Sequence, residues 1–147
     1  MARKQTLQGG KLMLFVGSST VDLSTACKLT LTNETSDEAT KDDGIWGYDE
    51  IVKKSWSATN DGKLNVDDPV ANALFTNWLN GTQVTIKIGV PANWTQEGVP
   101  AAGWSAPTTK YFTGTAIIES LDLDGTKGSA GTASVTFKGV GALTYTA

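Results

Sequence analysis

Residues able to carry out chemistry are few in this sequence. It contains no histidine, so the commonest general base and metal ligand is missing, and a Ser-His or Cys-His nucleophile is excluded. The single cysteine, Cys27, belongs to an alternating apolar row, where we expect a buried, inert thiol. One cysteine also excludes an internal disulfide and fits a reducing compartment.

The acidic residues do not form a recognisable catalytic or metal-binding pattern. The run Asp122-Leu123-Asp124-Gly125 imitates the start of a calcium loop, but Ala133 occupies the place of the glutamate that closes such a loop. The pairs Asp42-Asp43 and Asp67-Asp68 are more typical of turns and helix caps than of a general acid and base. A glycosidase-like cleft would need two carboxylates brought together, and nothing in the sequence does this. Gly9-Gly10 lacks the lysine and serine of a phosphate-binding loop. We therefore predict no catalytic residues, no cofactor and no metal site.

Length and composition favour one β-rich domain. The 147 residues carry a net charge of −3, 39% hydrophobic and 18% charged residues, with 16 glycines. No basic stripe is present, which argues against sequence-specific binding of nucleic acid. No apolar run approaches the about 20 residues of a membrane helix, and Leu12–Val16 is shorter than the core of a signal peptide. We expect a protein made in a cytoplasm, with no membrane partner.

The elements that would position any site are mainly strands. Apolar and polar residues alternate with a period of two, and Gly114 is expected to mark a bulge in the longest run. The last two runs are expected to form a hairpin. We expect residues 1–10 to be a flexible arm and residues 11–147 a single domain, with strands over 11–17, 27–33, 50–59, 82–90, 110–123 and 132–138.

One helix is predicted over residues 68–80. Asp67 or Asp68 suits the N-cap, Pro69 the first turn, and Asn80-Gly81 the end. Its apolar residues form one stripe, in which we expect Leu74 and Trp78 to be core residues: Val70, Ala71, Leu74, Phe75, Trp78 and Leu79. The helix needs a sheet to pack on.

The polar faces of the predicted strands have a common character. They carry short hydroxyl side chains with a few lysines, and the ordinary interpretation is the solvent-facing side of an antiparallel sheet. The residues are Lys28, Thr30, Thr32, Lys53, Ser55, Ser57, Thr85, Lys87, Ser134, Thr136 and Lys138.

Two long loops carry exposed aromatic residues. Residues 34–49 are acidic yet contain Ile45, Trp46 and Tyr48, which are too apolar to remain uncovered. Residues 91–109 are rich in proline and contain two further tryptophans. Trp46, Trp94 and Trp104 could anchor these loops on the domain or on neighbouring subunits, or form a platform that stacks on carbohydrate.

Three sequence phrases, in order, carry a family resemblance. The strand Cys27–Asn33 leads into the acidic phrase TKDDG, the next strand contains Lys54-Ser55-Trp56, and the closing hairpin ends in Val135–Leu143 (VTFKGVGAL). Over residues 10–143 this pattern resembles the major tail proteins, or tail tube proteins, of long-tailed phages. The loop 91–109 departs from the pattern.

The resemblance implies a fold, an assembly and a location. The fold is a β-sandwich or barrel of tail-tube type with one flanking α-helix and long loops, and copies form hexameric rings stacked into a hollow tube. The polar residues given above would then face the lumen, through which double-stranded DNA passes without sequence-specific binding, and their lysines would need nearby carboxylates such as Glu119. Ile45, Trp46 and Tyr48 would contact the adjacent ring. Other partners would be tail proteins such as the tape measure and the terminator, in a virion tail assembled in the cytoplasm of a bacterial host.

Two alternatives remain open at this level. One is the tube of a bacterial secretion or contractile injection system, which shares the fold. The other, from a different class, is a carbohydrate-binding β-sandwich built around the loop tryptophans.

Overall fold

The computed structural model describes residues 9–20, 24–64 and 67–147. The predicted arm, residues 1–10, lies outside these ranges except for Gly9 and Gly10. Short 3-10 helices cover Gly9–Lys11 and Lys41–Asp43. No helix within the described ranges has the length and apolar character needed to span a membrane. The longer elements are β1 (Met13–Val16), β2 (Ser19–Thr20), β3 (Ser24–Asp37), β4 (Asp49–Lys63), α1 (Pro69–Asn80), β5 (Val84–Gly89), β6 (Tyr111–Asp124) and β7 (Thr132–Thr146).

The strands form a single antiparallel sheet that rolls over on itself. Its order is β2-β1-β5-β6-β7-β4-β3, so β1 and β3 are five strands apart, about 24 Å in a flat sheet. Yet the Cys27 thiol on β3 donates to the Leu12 carbonyl just before β1, at 3.5 Å. The rolled sheet therefore encloses one of its faces and turns the other outward on both sides.

The enclosed face holds the core and confirms the fold class: mainly β, with one helix. Leu14 of β1, Trp56 of β4 and Phe137 of β7 belong to one buried cluster, although they come from distant parts of the chain. The two layers of the expected sandwich are the two halves of this single sheet, which share the long strands β6 and β7. The predicted hairpin of these two strands is confirmed, and the bulge predicted at Gly114 appears as a register shift between Thr113 and Thr115.

Strands β3 and β4 extend beyond their predicted ends. They stay paired as far as Asp37 opposite Asp49, with one irregularity near Glu34. The predicted loop 34–49 was therefore too long, and only residues 38–48 connect the strands. Lys54 lies on the same side of β4 as the core residue Trp56, where an apolar residue would be usual. A lysine is tolerated there because these outer pairs have no core beneath them. Its ammonium is exposed and donates to the Asn33 side-chain oxygen at 3.3 Å.

Helix α1 begins and ends as its sequence predicts. The Asp68 carboxylate accepts a hydrogen bond from the Val70 amide at 3.0 Å, and Gly81 ends the helix in the left-handed conformation. Leu74 is 2% exposed, which confirms it as a core residue. The prediction for Trp78 was wrong: it is 46% exposed and stacks on Phe75 at the surface, because the helix meets the sheet along one narrow line through Leu74.

The loop 91–109 is ordered by its own hydrogen bonds. The Asn93 side chain donates to the Gly103 carbonyl at 3.0 Å and accepts from the Ser105 amide at 2.8 Å. Pro107 is buried and lies on the outward side of β5, against Gly89. On the same side of the sheet Phe15 is fully buried. The loop thus covers the outer surface of the β1–β5 layer.

Candidate functional site

Nine of the predicted polar residues lie together on the outward side of β3, β4 and β7. Directly opposite residues of an antiparallel pair share a face, and so do residues two apart along one strand. Thr30 is opposite Ser57, and Ser57 is in turn opposite Lys138. We call this surface the polar face; its predicted members are Lys28, Thr30, Thr32, Lys53, Ser55, Ser57, Ser134, Thr136 and Lys138.

The same pairing adds residues that the sequence did not single out. Thr59 is opposite both Lys28 and Thr136, and Asp61 is opposite Ser134. The Asp61 carboxylate accepts a hydrogen bond from the Ser134 hydroxyl at 2.6 Å. Thr59 and Asp61 both continue the alternation of β4. Asp61 was missed because the strand was predicted to stop at residue 59, whereas Thr59, the last residue of the predicted strand, was not assigned to its polar side.

Carboxylates are interleaved with the lysines of the polar face. Glu34 is opposite Lys53, and Asp122 of β6 is opposite Ser134. Glu119, expected to offset the lysines, lies instead in a bulge of β6 and lines a groove on the other side of the sheet. The surface is therefore hydrophilic, short-chained and mixed in charge, with no run of one sign that would hold a polyanion firmly.

Thr85 and Lys87 lie on the other layer. They are on the outward side of β5, opposite Thr115 and Thr113 of β6. Because the sheet is rolled, this side points away from the polar face. Lys87 is half-buried, with its ammonium 5.4 Å from the centroid of the Tyr111 ring. The structure therefore does not bring these two residues together with the other nine.

The three predicted contact residues lie in the connection between β3 and β4. We call residues 38–48 the hairpin tip. Thr40 and Asp43 form a capping box around the short helix within it, which confirms the turn role of the Asp42-Asp43 pair. Ile45 is 96% exposed and Trp46 78%, and Tyr48 is also exposed. A well-formed turn thus holds large apolar side chains in solvent.

The tryptophans do not make an evident carbohydrate platform. Trp46 is at the hairpin tip, whereas Trp94 and Trp104 are half-buried in the loop 91–109. The Lys11 ammonium lies over the Trp94 ring, 4.6 Å from the centroid of the ring. Trp94 thus helps to anchor the loop on its own domain.

A groove opens between α1 and the ends of β4, β6 and β7. We call it the end groove; its volume is about 830 Å³. Its apolar lining includes Phe75 and Trp78 of α1, Leu121 and Leu123 of β6, and Leu64 after β4. Its walls come from four separate elements, so no local sequence pattern predicts the groove.

Within the described residues, no group of three or more carboxylates or thiols is placed to hold a metal ion. Burial raises the pKa of the Cys27 thiol, because desolvation disfavours the thiolate. The features that stand out are therefore surfaces: the polar face, the hairpin tip and the end groove.

Comparisons with known proteins agree with this architecture. No curated protein matches the chain. Among solved structures, a chain of the virion of the native gene transfer agent (GTA) particle superposes with a TM-score of 0.72 at 16% identity, covering 97% of this chain and 100% of its own. A chain from the tail of the empty GTA particle, refined with C6 symmetry, gives 0.70 at 17% identity, with 97% and 100% covered. The SPP1 tail tube gives 0.67 at 15% identity, with 96% and 79% covered. At these identities the likeness concerns the fold. Residues 16–145 match the family model described as phage tail tube protein, which spans nearly the whole chain, and the chain belongs to that family.

Proposed function

We propose that this chain is a non-enzymatic structural subunit of a tail tube, in which six copies form a ring and the rings stack. The observation that carries the proposal is the family match over residues 16–145. The GTA tail chain of the same fold was refined with C6 symmetry, which favours six copies per ring.

The polar face is proposed as the wall of the lumen. A wall of threonine and serine offers passing double-stranded DNA little bulk, and the large apolar side chain at its margin, Ile117 of β6 opposite Lys138, is 37% exposed. The carboxylates Glu34, Asp61 and Asp122 interleaved with its lysines limit the release of counterions that drives firm binding to phosphates. Thr85 and Lys87 are left out of this wall, because they belong to the layer that points the other way.

Lateral contacts in the ring are assigned to sheet edges. The outer edge of β3 runs over 14 residues with no partner strand among those described, and such an edge is a template for pairing. A neighbouring subunit that pairs there would extend the polar face from one copy to the next. Six copies would then line the lumen with one continuous sheet.

The hairpin tip, with Ile45, Trp46 and Tyr48, is proposed to contact the adjacent ring. These side chains are exposed in the isolated subunit and would be buried in a stack. The tube would carry further tail proteins, such as the tape measure and the terminator, in the virion, after assembly in the host cytoplasm.

Negative-stain microscopy of the concentrated protein tests this proposal. We expect rings or tubes with a central hole, and sixfold symmetry in end views. Thr136→Asn is a suitable control variant, because its half-buried side chain lies on the polar face and not in the core, so rings should still form. A species that remains monomeric at every concentration would refute the proposal. Binding of a defined glycan by the wild-type subunit, lost in Thr136→Asn, would make the polar face a ligand site and refute its assignment to the lumen.

A further inference from the structure

Two apolar surfaces that no described segment of the chain covers lie at opposite ends of this subunit. The hairpin tip precedes Asp49, the first residue of β4, and the end groove surrounds Lys63, the last. At about 3.3 Å per residue the strand separates them by about 45 Å. Neither surface can reach the other within one chain.

The two surfaces match in chemistry and size. The tip presents Ile45 and Trp46, while Leu123 in the groove wall is 68% exposed and Phe75 and Trp78 flank it. The groove volume of about 830 Å³ lies within the roughly 300–1,000 Å³ of pockets that enclose a small ligand. It therefore has room for both tip side chains.

We propose that the end groove of one copy receives Ile45 and Trp46 from the hairpin tip of a second copy in the next ring. This inference rests on the proposed function and names the receiving site for the contact between rings. Because tip and groove are different surfaces at opposite ends, the contact is heterologous and does not close, so it repeats along one axis. A stack of unlimited length follows from this arrangement.

The area involved explains why such a contact would act only between assembled rings. A tryptophan buries about 150–250 Å², so one tip with Trp46 and the smaller Ile45 buries a few hundred Å². A stable pair of free proteins needs about 800 Å² per partner. A single tip in a single groove is therefore too small to join two free subunits. Six parallel contacts between two rings gain from their high effective concentration.

Disulfide cross-linking in assembled tubes tests the pairing. Tubes of the double variant Trp46→Cys/Leu123→Cys, made like its controls in a Cys27→Ser background that removes the native thiol, are oxidised and run on a denaturing gel without reductant. We expect a ladder of products up to at least six linked chains, since each chain would be joined at both ends. Each single variant should give no product larger than a dimer. The pair Trp46→Cys/Val99→Cys is the matched control, because Val99 is equally exposed but lies in the loop 91–109.

The outcomes separate the pairing from the proposed function. Normal tubes of the double variant without a ladder would overturn the pairing alone. If the double variant fails to stack, Leu123→Asp provides the second test. We expect this variant to form rings that do not stack. Tubes of normal length would assign the groove to a different partner and overturn the inference. Absence of rings and tubes from the wild-type protein would overturn the proposed function, and the pairing with it.

Discussion

Replacing Gly139 by alanine should destabilise the subunit by about 2–4 kcal/mol. A Cβ atom at Gly139 would lie 2.5 Å from Cδ2 of the Trp56 indole, and closer still to its Cε2 and Nε1. The indole cannot retreat, because Gly114 bounds it on β6, where an added Cβ would lie 2.6 Å from Trp56 Cζ2. Its ring nitrogen also donates to the Gly141 carbonyl at 3.2 Å.

The magnitude combines two costs. Overpacking a core costs about 1–3 kcal/mol, and loss of the indole hydrogen bond costs about 1 kcal/mol more. For a domain of this size the sum corresponds to a fall in Tm of about 5–15 °C. Urea unfolding of the unassembled subunit, followed by tryptophan fluorescence, measures the change directly.

Gly125→Ala is the matched control for Gly139→Ala. A Cβ atom at Gly125 would have nothing within 4 Å, so we expect a change within about 0.5 kcal/mol. If Gly139→Ala proved as mild as this control, Trp56 would not pack on Gly139, and the proposed curvature of the sheet at β4, β6 and β7 would be wrong.

Four further outcomes are expected for single positions. Leu74→Ala should lose about 2–5 kcal/mol in the same urea titration, and Trp78→Ala should lose clearly less, because only Leu74 is buried; equal losses would contradict the packing of α1. Asp68→Ala should cost about 1 kcal/mol of unfolding free energy, whereas Asp68→Asn keeps most of the cap; a loss of similar size in both would show that the cap is not the cause. The raised pKa of Cys27 predicts that a thiol reagent at pH 8 modifies the native protein more slowly than the urea-unfolded chain. The modification rate of the native protein should rise with pH only at higher pH than that of the unfolded chain. Equal rates would contradict the burial of Cys27. Thr136→Asn should leave the unfolding midpoint within the range of ordinary surface changes, and a large loss would place that side chain in the core.

The sequence predicted the interior of each long strand well but not its ends. Alternation identifies a strand where one face is buried, as at Trp56 and Ala58. The outer parts of β3 and β4 bury neither of their faces and are held by pairing with each other. Apolar and polar residues therefore need not alternate there, and the sequence does not mark these parts as strands. The helix was predicted because its caps are local features, whereas the exposure of Trp78 depends on where α1 crosses the sheet.

The candidate site, too, could be predicted from the sequence only in part. A period of two assigns each residue to one side of its strand, so the members of the polar face could be predicted. The sequence could not predict which strands share a layer, because the rolling of the sheet depends on contacts such as that of Trp56 with Gly139. This is why Thr85 and Lys87 were grouped with residues that point the other way. The end groove escaped prediction for a related reason, since its walls meet only in the folded chain.

The central claim is that the polar face lines the lumen of a sixfold tube. A helical reconstruction of the assembled protein, at a resolution that places side chains, tests it most directly. We predict six copies per ring, with Thr30, Ser57 and Thr136 of every copy facing the central hole. A tube in which these three side chains lie on the outer surface, or are buried between subunits, would contradict the account.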